Sequence, residues 1–286
     1  MSRIDDAMVA ATMRGYDRNN LFAFVAAIIG SDEARRLMEM YRVGTSKHWQ
    51  GATVFWQISA DGNVRGGKIM LYDRLTGHRV QEPFPHINWV HSVLRLPDFK
   101  LTQCFFGEHL LPYIRDKPVA IVESEKTAIL ATHYLPQYLW LATGGKCSCL
   151  NREAIKALRD REVMLVPDLN ATDDWRKKLS LFNDSGIKAT LFESLEQMAT
   201  DEQRTQGLDI ADFLCQRVQS QACLSYAECS QERSETHFLI AEQTPHGIFE
   251  QIMQRNPALR QLVDALQLEL VGIEDYKPSE SSLKSE

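Results

Sequence analysis

The sequence predicts an α/β protein: a parallel sheet flanked by helices, preceded by a small α+β subdomain and followed by a helical appendage. Three observations predict it. From residue 117 onward, short apolar runs alternate with helical runs. Before that point, two β-rich runs are joined by turn-forming residues. Within the alternating region, Glu123 and Asp168 stand directly after apolar runs, where a sheet would present them at its carboxyl edge. The expected segments are a leader at 1–18, an α+β subdomain at 19–116, the parallel-sheet domain at 117–217, and a helical region with a tail at 218–286.

The elements follow in chain order. Residues 1–18 read as a loosely docked leader. NNLFAFVAAIIG predicts a helix capped by Asn20 and stopped by Gly30. SDEARRLMEMYRVG restarts with Ser31 as cap and acids in the first turn. ATVFWQIS and VRGGKIMLYD are strands of a hairpin turned by ADGN, and DRLTGHRV turns the chain again. KPVAIVESEKTAILATHYL is a buried strand running into a helix. QYLWLATGG is a second strand ending at a glycine pair, REAIKALRD a helix and REVMLVPDLN a third strand. ATDDWRKKLSLFNDSG predicts a helix closed by Gly186, IKATLFE a fourth strand, and GLDIADFLCQRV a further helix. This alternation requires a parallel sheet with right-handed crossovers.

Composition narrows the class. The 286 residues are 44% hydrophobic and 24% charged, as in an ordinary globular chain, with no apolar run long enough to span a bilayer. The N-terminus has no signal-peptide pattern, so a cytoplasmic protein with reduced thiols is expected. None of the six cysteines has CxxC spacing, and Cys147 and Cys149 stand too close for a structural zinc knuckle, so no zinc is expected. The net charge of −6 is unevenly spread. Residues 1–117 hold 15 Lys/Arg and 12 Asp/Glu; residues 118–286 hold 17 and 26. Between Arg42 and Arg79 there are six basic and two acidic residues, a local field suited to phosphates.

Two acids at the ends of neighbouring parallel strands can share one magnesium ion. Such an ion typically takes one or two carboxylates, keeps several waters and draws its other ligands from phosphates. Phosphoryl and nucleotidyl transfer need that arrangement, because the metal neutralises charge developing on phosphate oxygens. If each acid opens a helix, the helix N-terminus holds it ionised.

IVESEKTAIL resembles the first motif of the Toprim domain, LATGG the small-residue turn after its second strand, and LVPDLN its Asp-x-Asp motif. GLDIADFL resembles the acidic segment that follows the domain in DnaG-type primases. Over about residues 19–217 the chain is similar to a family of bacterial Toprim-like, primase-related proteins.

That resemblance implies Mg²⁺ (or Mn²⁺), with Glu123 as general acid/base or metal carboxylate and Asp168 as metal ligand. Asn170 replaces the second acid of Asp-x-Asp, and Asp209, then Asp212, would complete the cluster. It implies Lys126, Thr143, Gly144 and Gly145 as phosphate or nucleotide contacts. It also implies a template-holding basic subdomain, fitted by Lys47, His48, Arg65, Lys68, Arg74 and Arg79. Three residues apart on a strand, Arg65 and Lys68 face opposite sides unless Gly66–Gly67 makes a bulge.

The implied function is primase-like nucleotidyl transfer on single-stranded DNA in mobile-element replication. The implied partners are single-stranded nucleic acid, nucleoside triphosphates and a helicase or other replication protein, with no membrane. The neutral Asn170 and the absence of a zinc ribbon favour a catalytically weak binding or assembly module instead. A nuclease is the third reading, since the same geometry also cuts phosphodiesters. The tryptophans are expected mostly in the core or at an interface; Trp49 is the one that could stack a base, with core packing the stronger expectation for it too. Amphipathic helices around Ile248 to Leu270 offer a protein contact.

Overall fold

Two four-stranded sheets organise the computed structural model, which describes residues 2–145 and 148–215. In the N-terminal region, α1 (Asp6–Thr12), α2 (Asn20–Ile29) and α3 (Ser31–Met40) precede β1 (Val43–Thr45), β2 (Thr53–Ile58), β3 (Val64–Met70), β4 (Ile87–Trp89) and α4 (Val90–Val93). The strands form an antiparallel sheet in the order β1-β2-β3-β4. All six residues of β2 are buried, which explains a run with no polar alternation. Val54, Trp56 and Ile58 pack in a cluster with Ile4, Val9, Val64 and Ile69. Phe55, on the opposite face, meets Tyr72 and Phe106 edge-on.

Several details differ from the sequence expectation. The leader is held in place: Ile4 N–H donates to Val64 O at 2.9 Å, and Ile4 and Val9 are buried. Asn19, not Asn20, caps α2. Its buried Oδ1 accepts from Phe22 N–H at 3.0 Å and from the Thr53 hydroxyl at 2.9 Å, so one side chain ends a helix and anchors a strand. Ser31 is the first residue of α3 rather than its cap. The bulge in the hairpin falls at Arg65, not at Gly66–Gly67, because pairing passes from Gln57↔Gly66 to Ile58↔Val64. Strands β1 and β4 add three residues each on either side of the hairpin, too short to show a pattern in sequence.

The second sheet is parallel. It contains β5 (Val119–Val122), β6 (Leu139–Ala142), β7 (Val163–Leu165) and β8 (Ala189–Leu191) in the order β6-β5-β7-β8. Helix α5 (Glu125–Tyr134) links β5 to β6. The segment read as REAIKALRD is a 3₁₀ turn over Ala154–Leu158. The helix expected after β7 is two short ones, α6 (Thr172–Arg176) and α7 (Leu179–Asp184). Helices α8 (Ser194–Met198) and α9 (Asp201–Gln206) follow β8, and residues 210–215 are again helical. All described residues belong to one compact unit, and none of their helices is long and apolar enough to cross a membrane. The Cys147 position and the helices expected around Ile248 to Leu270 lie outside the described residues.

The two sheets are joined through the segment between them. Phe106 and Ala142 exchange backbone hydrogen bonds at 2.9 and 3.1 Å, laying that segment against the edge of β6. Two residues on, the carboxylate of buried Glu108 accepts from Ala60 N–H and Phe105 N–H, each at 3.1 Å. Burial outweighs these bonds and pushes its pKa up to about 7. A carboxyl that holds its proton more tightly in the folded state stabilises the fold below its unfolded pKa and loses that contribution as pH rises. Glu108 is therefore expected to remove roughly 3 kcal/mol of stability between about pH 4.5 and 7. Urea unfolding across that range checks this: Glu108→Gln should flatten the profile, and an unchanged slope would contradict it.

Candidate functional site

Strand order places the site. The connection from β5 runs outward to β6, and the next crosses back to β7, so the chain changes direction between β5 and β7. In open α/β sheets ligands bind in the crevice at such a switch point, beyond the carboxyl ends of the strands. Glu123 follows β5 directly, and Asp168 follows β7 after Val166 and Pro167. Both line a cleft of about 590 Å³, together with Asp209 and Asp212 from the start of the last described helix.

The electrostatics are those of crowded carboxylates. Burial first, then the charges of Asp209, Glu123 and Asp212, push the Asp168 carboxyl up to about 9, against the opposing pull of Lys126. Asp212 is raised as well, by burial and by Asp209. The expected helix N-terminal support is missing at Asp168, since α6 begins at Thr172 with Ala171 as its cap. Asp168 is thus not held ionised by the backbone. A cation placed between them would favour the ionised forms of Asp168 and Asp212. Hard carboxylate oxygens are the donor set that Mg²⁺ and Mn²⁺ prefer. Among the described residues, no three His, Cys, Asp or Glu side chains converge closely enough to hold an ion by themselves.

Asp209 is also a helix cap. Its Oδ1 accepts from Ala211 N–H and Asp212 N–H at 2.8 and 3.1 Å, and Asp212 Oδ2 accepts from Asp209 N–H at 2.9 Å. Asp209 Oδ2 accepts from the Thr127 hydroxyl of α5 at 2.5 Å, which ties the cap to the helix behind Glu123.

The cleft is closed on one side by the antiparallel sheet. Lys68 of β3 reaches across, and its ammonium donates to Gly144 O at 2.6 Å and to both Glu125 oxygens at 3.1 and 3.4 Å. The Lys68 and Glu125 side chains are 9% and 2% exposed, so this is a buried pair between two sheets. Gly144 takes φ +75°, with its N–H donating to Glu123 O at 3.0 Å. A Cβ there would stand 3.1 Å from Glu125 Oε1, so glycine is required for both conformation and space. Thr143 is buried and donates to Gly145 O at 2.7 Å, bracing the same loop.

The residues singled out from the sequence therefore divide. Glu123, Asp168, Asp209, Lys126, Gly144 and Gly145 meet in the cleft, with Thr143 beneath the loop. Lys126 also places its ammonium 5.8 Å from the centre of the Phe24 ring. Of the basic group, Lys68 and Arg79 line the cleft, whereas Lys47 and His48 line a different groove. Arg65 pairs with Asp61 at 3.2 Å at the hairpin tip, and Arg74 lies on the exposed turn. Asn170 is exposed and outside the cleft lining: it sits at φ +66°, its Nδ2 donating to Arg204 O at 2.6 Å and its N–H to Glu196 at 3.0 Å. Sequence reasoning missed Glu125 as the partner of Lys68 and His78 as a lining residue. A lysine in the apolar second half of β3, in GGKIM, was the available signal for the first.

The fold and cleft define a two-sheet α/β protein with an acidic crevice at the switch point of its parallel sheet. The chain belongs to the family described as a domain of unknown function, DUF6371, whose model matches residues 19–169. That span holds Lys68, Glu123 and Asp168 but not Asp209. No curated protein matches the sequence significantly. Solved structures similar to it include the E. coli primase catalytic core, at 11% identity and TM-score 0.46, over 96% of this chain and 98% of that one. The DnaG primase catalytic domain bound to ssDNA matches at 12% identity and TM-score 0.44, over 92% and 94%. The primase fragment of the bacteriophage T7 primase-helicase matches at 15% and TM-score 0.35, over 55% of this chain and 59% of that one. The chain likewise spans 55% of the Aquifex aeolicus primase structure, at 14% identity and TM-score 0.41 over 85% of its own length.

A buried ion pair with one partner removed leaves an uncompensated charge, at a typical cost of about 3–5 kcal/mol. Lys68→Met is expected to destabilise the fold by that order in urea unfolding, and Lys68→Met with Glu125→Leu by much less. Equal stability of Lys68→Met and the wild type would show that the pair does not join the sheets.

Proposed function

We propose that this chain is a Toprim-type, primase-like enzyme that joins nucleotides on a single-stranded nucleic-acid template with the aid of Mg²⁺ or Mn²⁺. One observation carries the reading: besides Glu125, which is paired with Lys68, four carboxylates, Glu123, Asp168, Asp209 and Asp212, line a single cleft at the switch point, faced by Lys126 and Arg79. Burial and neighbouring acids raise Asp168 and Asp212, which suits a divalent cation, and the cations beside them suit a polyphosphate.

On this reading Asp168 and Asp209 would hold the ion, with Glu123 beside them. When bound, the ion would neutralise charge developing on the phosphate of the transferred nucleotidyl group. Glu123, at the end of inner strand β5, accepts the proton of the attacking 3′-hydroxyl as its oxygen bonds to the α-phosphorus and pyrophosphate leaves. The Gly144–Gly145 turn presents backbone close to the triphosphate, and Lys126 pairs with its oxygens. Arg79 and His78, on the turn that overhangs the cleft, hold template phosphates, a sequence-independent and salt-sensitive contact. Lys68 works indirectly, fixing the glycine turn through Gly144 O. Asn170 is left out of the set, because its amide is committed to the Arg204 carbonyl outside the cleft.

The test is incubation of the full chain with a labelled single strand, nucleoside triphosphates and Mg²⁺ or Mn²⁺. Extension products are expected, and Glu123→Gln or Asp168→Asn should reduce them by about 100-fold or more. Shortened strands would make the protein a nuclease. No product of either kind would leave a binding or assembly module.

A further inference from the structure

The antiparallel sheet has a second face turned away from the cleft. Side chains alternate along a strand, so Lys68 and Met70 point to the cleft and Ile69 between them points the other way. That other face carries a groove of about 1060 Å³, floored by Val54, Trp56 and Ile69. Its rim bears Arg14, Arg18 and Lys47, all exposed, and no Asp or Glu is among its described lining residues. Arg18 has an acid near it, Asp17 at 3.8 Å, but both side chains are more than 70% exposed.

Beside the groove four rings stand in a row. His48 and Trp49 have centroids 4.2 Å apart, Trp49 and His86 5.1 Å, and His86 and Phe84 4.6 Å. Phe84 ends the row 53% exposed, and His48 is exposed as well. The His48 ring also meets the Asn88 amide at 3.1 Å, which fixes that end. Trp49 is half-buried against this row rather than enclosed in the core.

We infer that this groove is a second binding surface for single-stranded nucleic acid, separate from the acid cleft. The exposed rings at the two ends of the row, His48 and Phe84, offer π faces to unpaired bases, and this stacking tolerates any base sequence. Cations without neighbouring acids on the lining attract the phosphate backbone and set its path. The pairing of the two features distinguishes this occupant from an apolar helix, which would need no cationic rim, and from a lone phosphate, which would need no rings. The inference rests on reading the chain as a nucleic-acid protein and adds a place for strand outside the cleft. The basic residues of the Arg42–Arg79 window then serve two faces: Lys68 and Arg79 the cleft, Lys47 and His48 the groove.

The experiment measures fluorescence anisotropy of a labelled oligo(dT) with the full chain, as wild type, Phe84→Ala and Lys47→Ala, across a salt series. Both side chains are exposed, so neither change threatens folding. Phe84→Ala is expected to weaken binding by about fivefold or more through lost stacking. Lys47→Ala is expected to weaken it and to lower the salt slope by about 0.7, the loss of one phosphate contact on a single strand. Binding of Mn²⁺ alone, measured in parallel by calorimetry, should be the same in all three, so the groove is judged apart from the cleft. Oligo(dT) affinity unchanged in both variants overturns the proposal and assigns the groove to another partner. A wild type that takes up Mn²⁺ but no oligo(dT) overturns it as well. Loss of Mn²⁺ binding in the wild type counts against the cleft reading, while the variant series still decides the groove.

Discussion

The contact on which the candidate site depends is the ammonium of Lys68 between the Glu125 carboxylate and the Gly144 carbonyl. It is buried, it crosses from an antiparallel sheet to a parallel one, and it ends on the glycine turn beside Glu123. The two sheets have different origins in the chain, and each buries its own apolar face. What makes them enclose a cleft is a charge placed where solvent cannot compensate it. Burying the ammonium with a carboxylate and a carbonyl meets the requirement that removing ions from water imposes. The contact fixes the height of the Gly144 turn relative to the strand ends.

The acids respond to the same enclosure. Glu123 and Asp168 come from strands that are neighbours because the order is β6-β5-β7-β8. Asp209 and Asp212 are drawn in by a reciprocal cap and by the Thr127 hydroxyl. A fold that commits three hydrogen bonds to Asp209 while leaving Asp168 raised to about 9 has arranged its acids for something other than mutual stability. Strongly perturbed carboxyls in a cleft are candidates for a functional site.

Much of this was legible in the sequence, and the reason is local. The β-α alternation after residue 117, the hairpin at ADGN and the acids after apolar runs are all short-range patterns, and the structure has each of them. The placement of Glu123 and Asp168 beyond strand ends was readable from the chain alone. What was not legible depends on distant partners. Lys68 read as one member of a basic window, because nothing nearby announces Glu125, 57 positions away. The window looked like one surface, but alternation along β3 and the bulge at Arg65 divide it between faces. The leader looked loose because its two anchors, Ile4 and Val9, find their partners only once the sheet exists. Helix starts were misplaced by a residue: Asn19 and Asn20 have equal capping chemistry, and at α3 Gly30 occupies the cap with no side-chain hydrogen bond.

The central claim is that the carboxylate cleft is a divalent-metal site. Calorimetric titration of Mn²⁺ into the wild type, Glu123→Gln and Asp168→Asn, with and without a nucleoside triphosphate, tests it most directly. The wild type is predicted to bind the ion, more tightly with the nucleotide, and both variants are predicted to bind it far more weakly. Equal binding in all three proteins, or none in the wild type even with nucleotide, would contradict it.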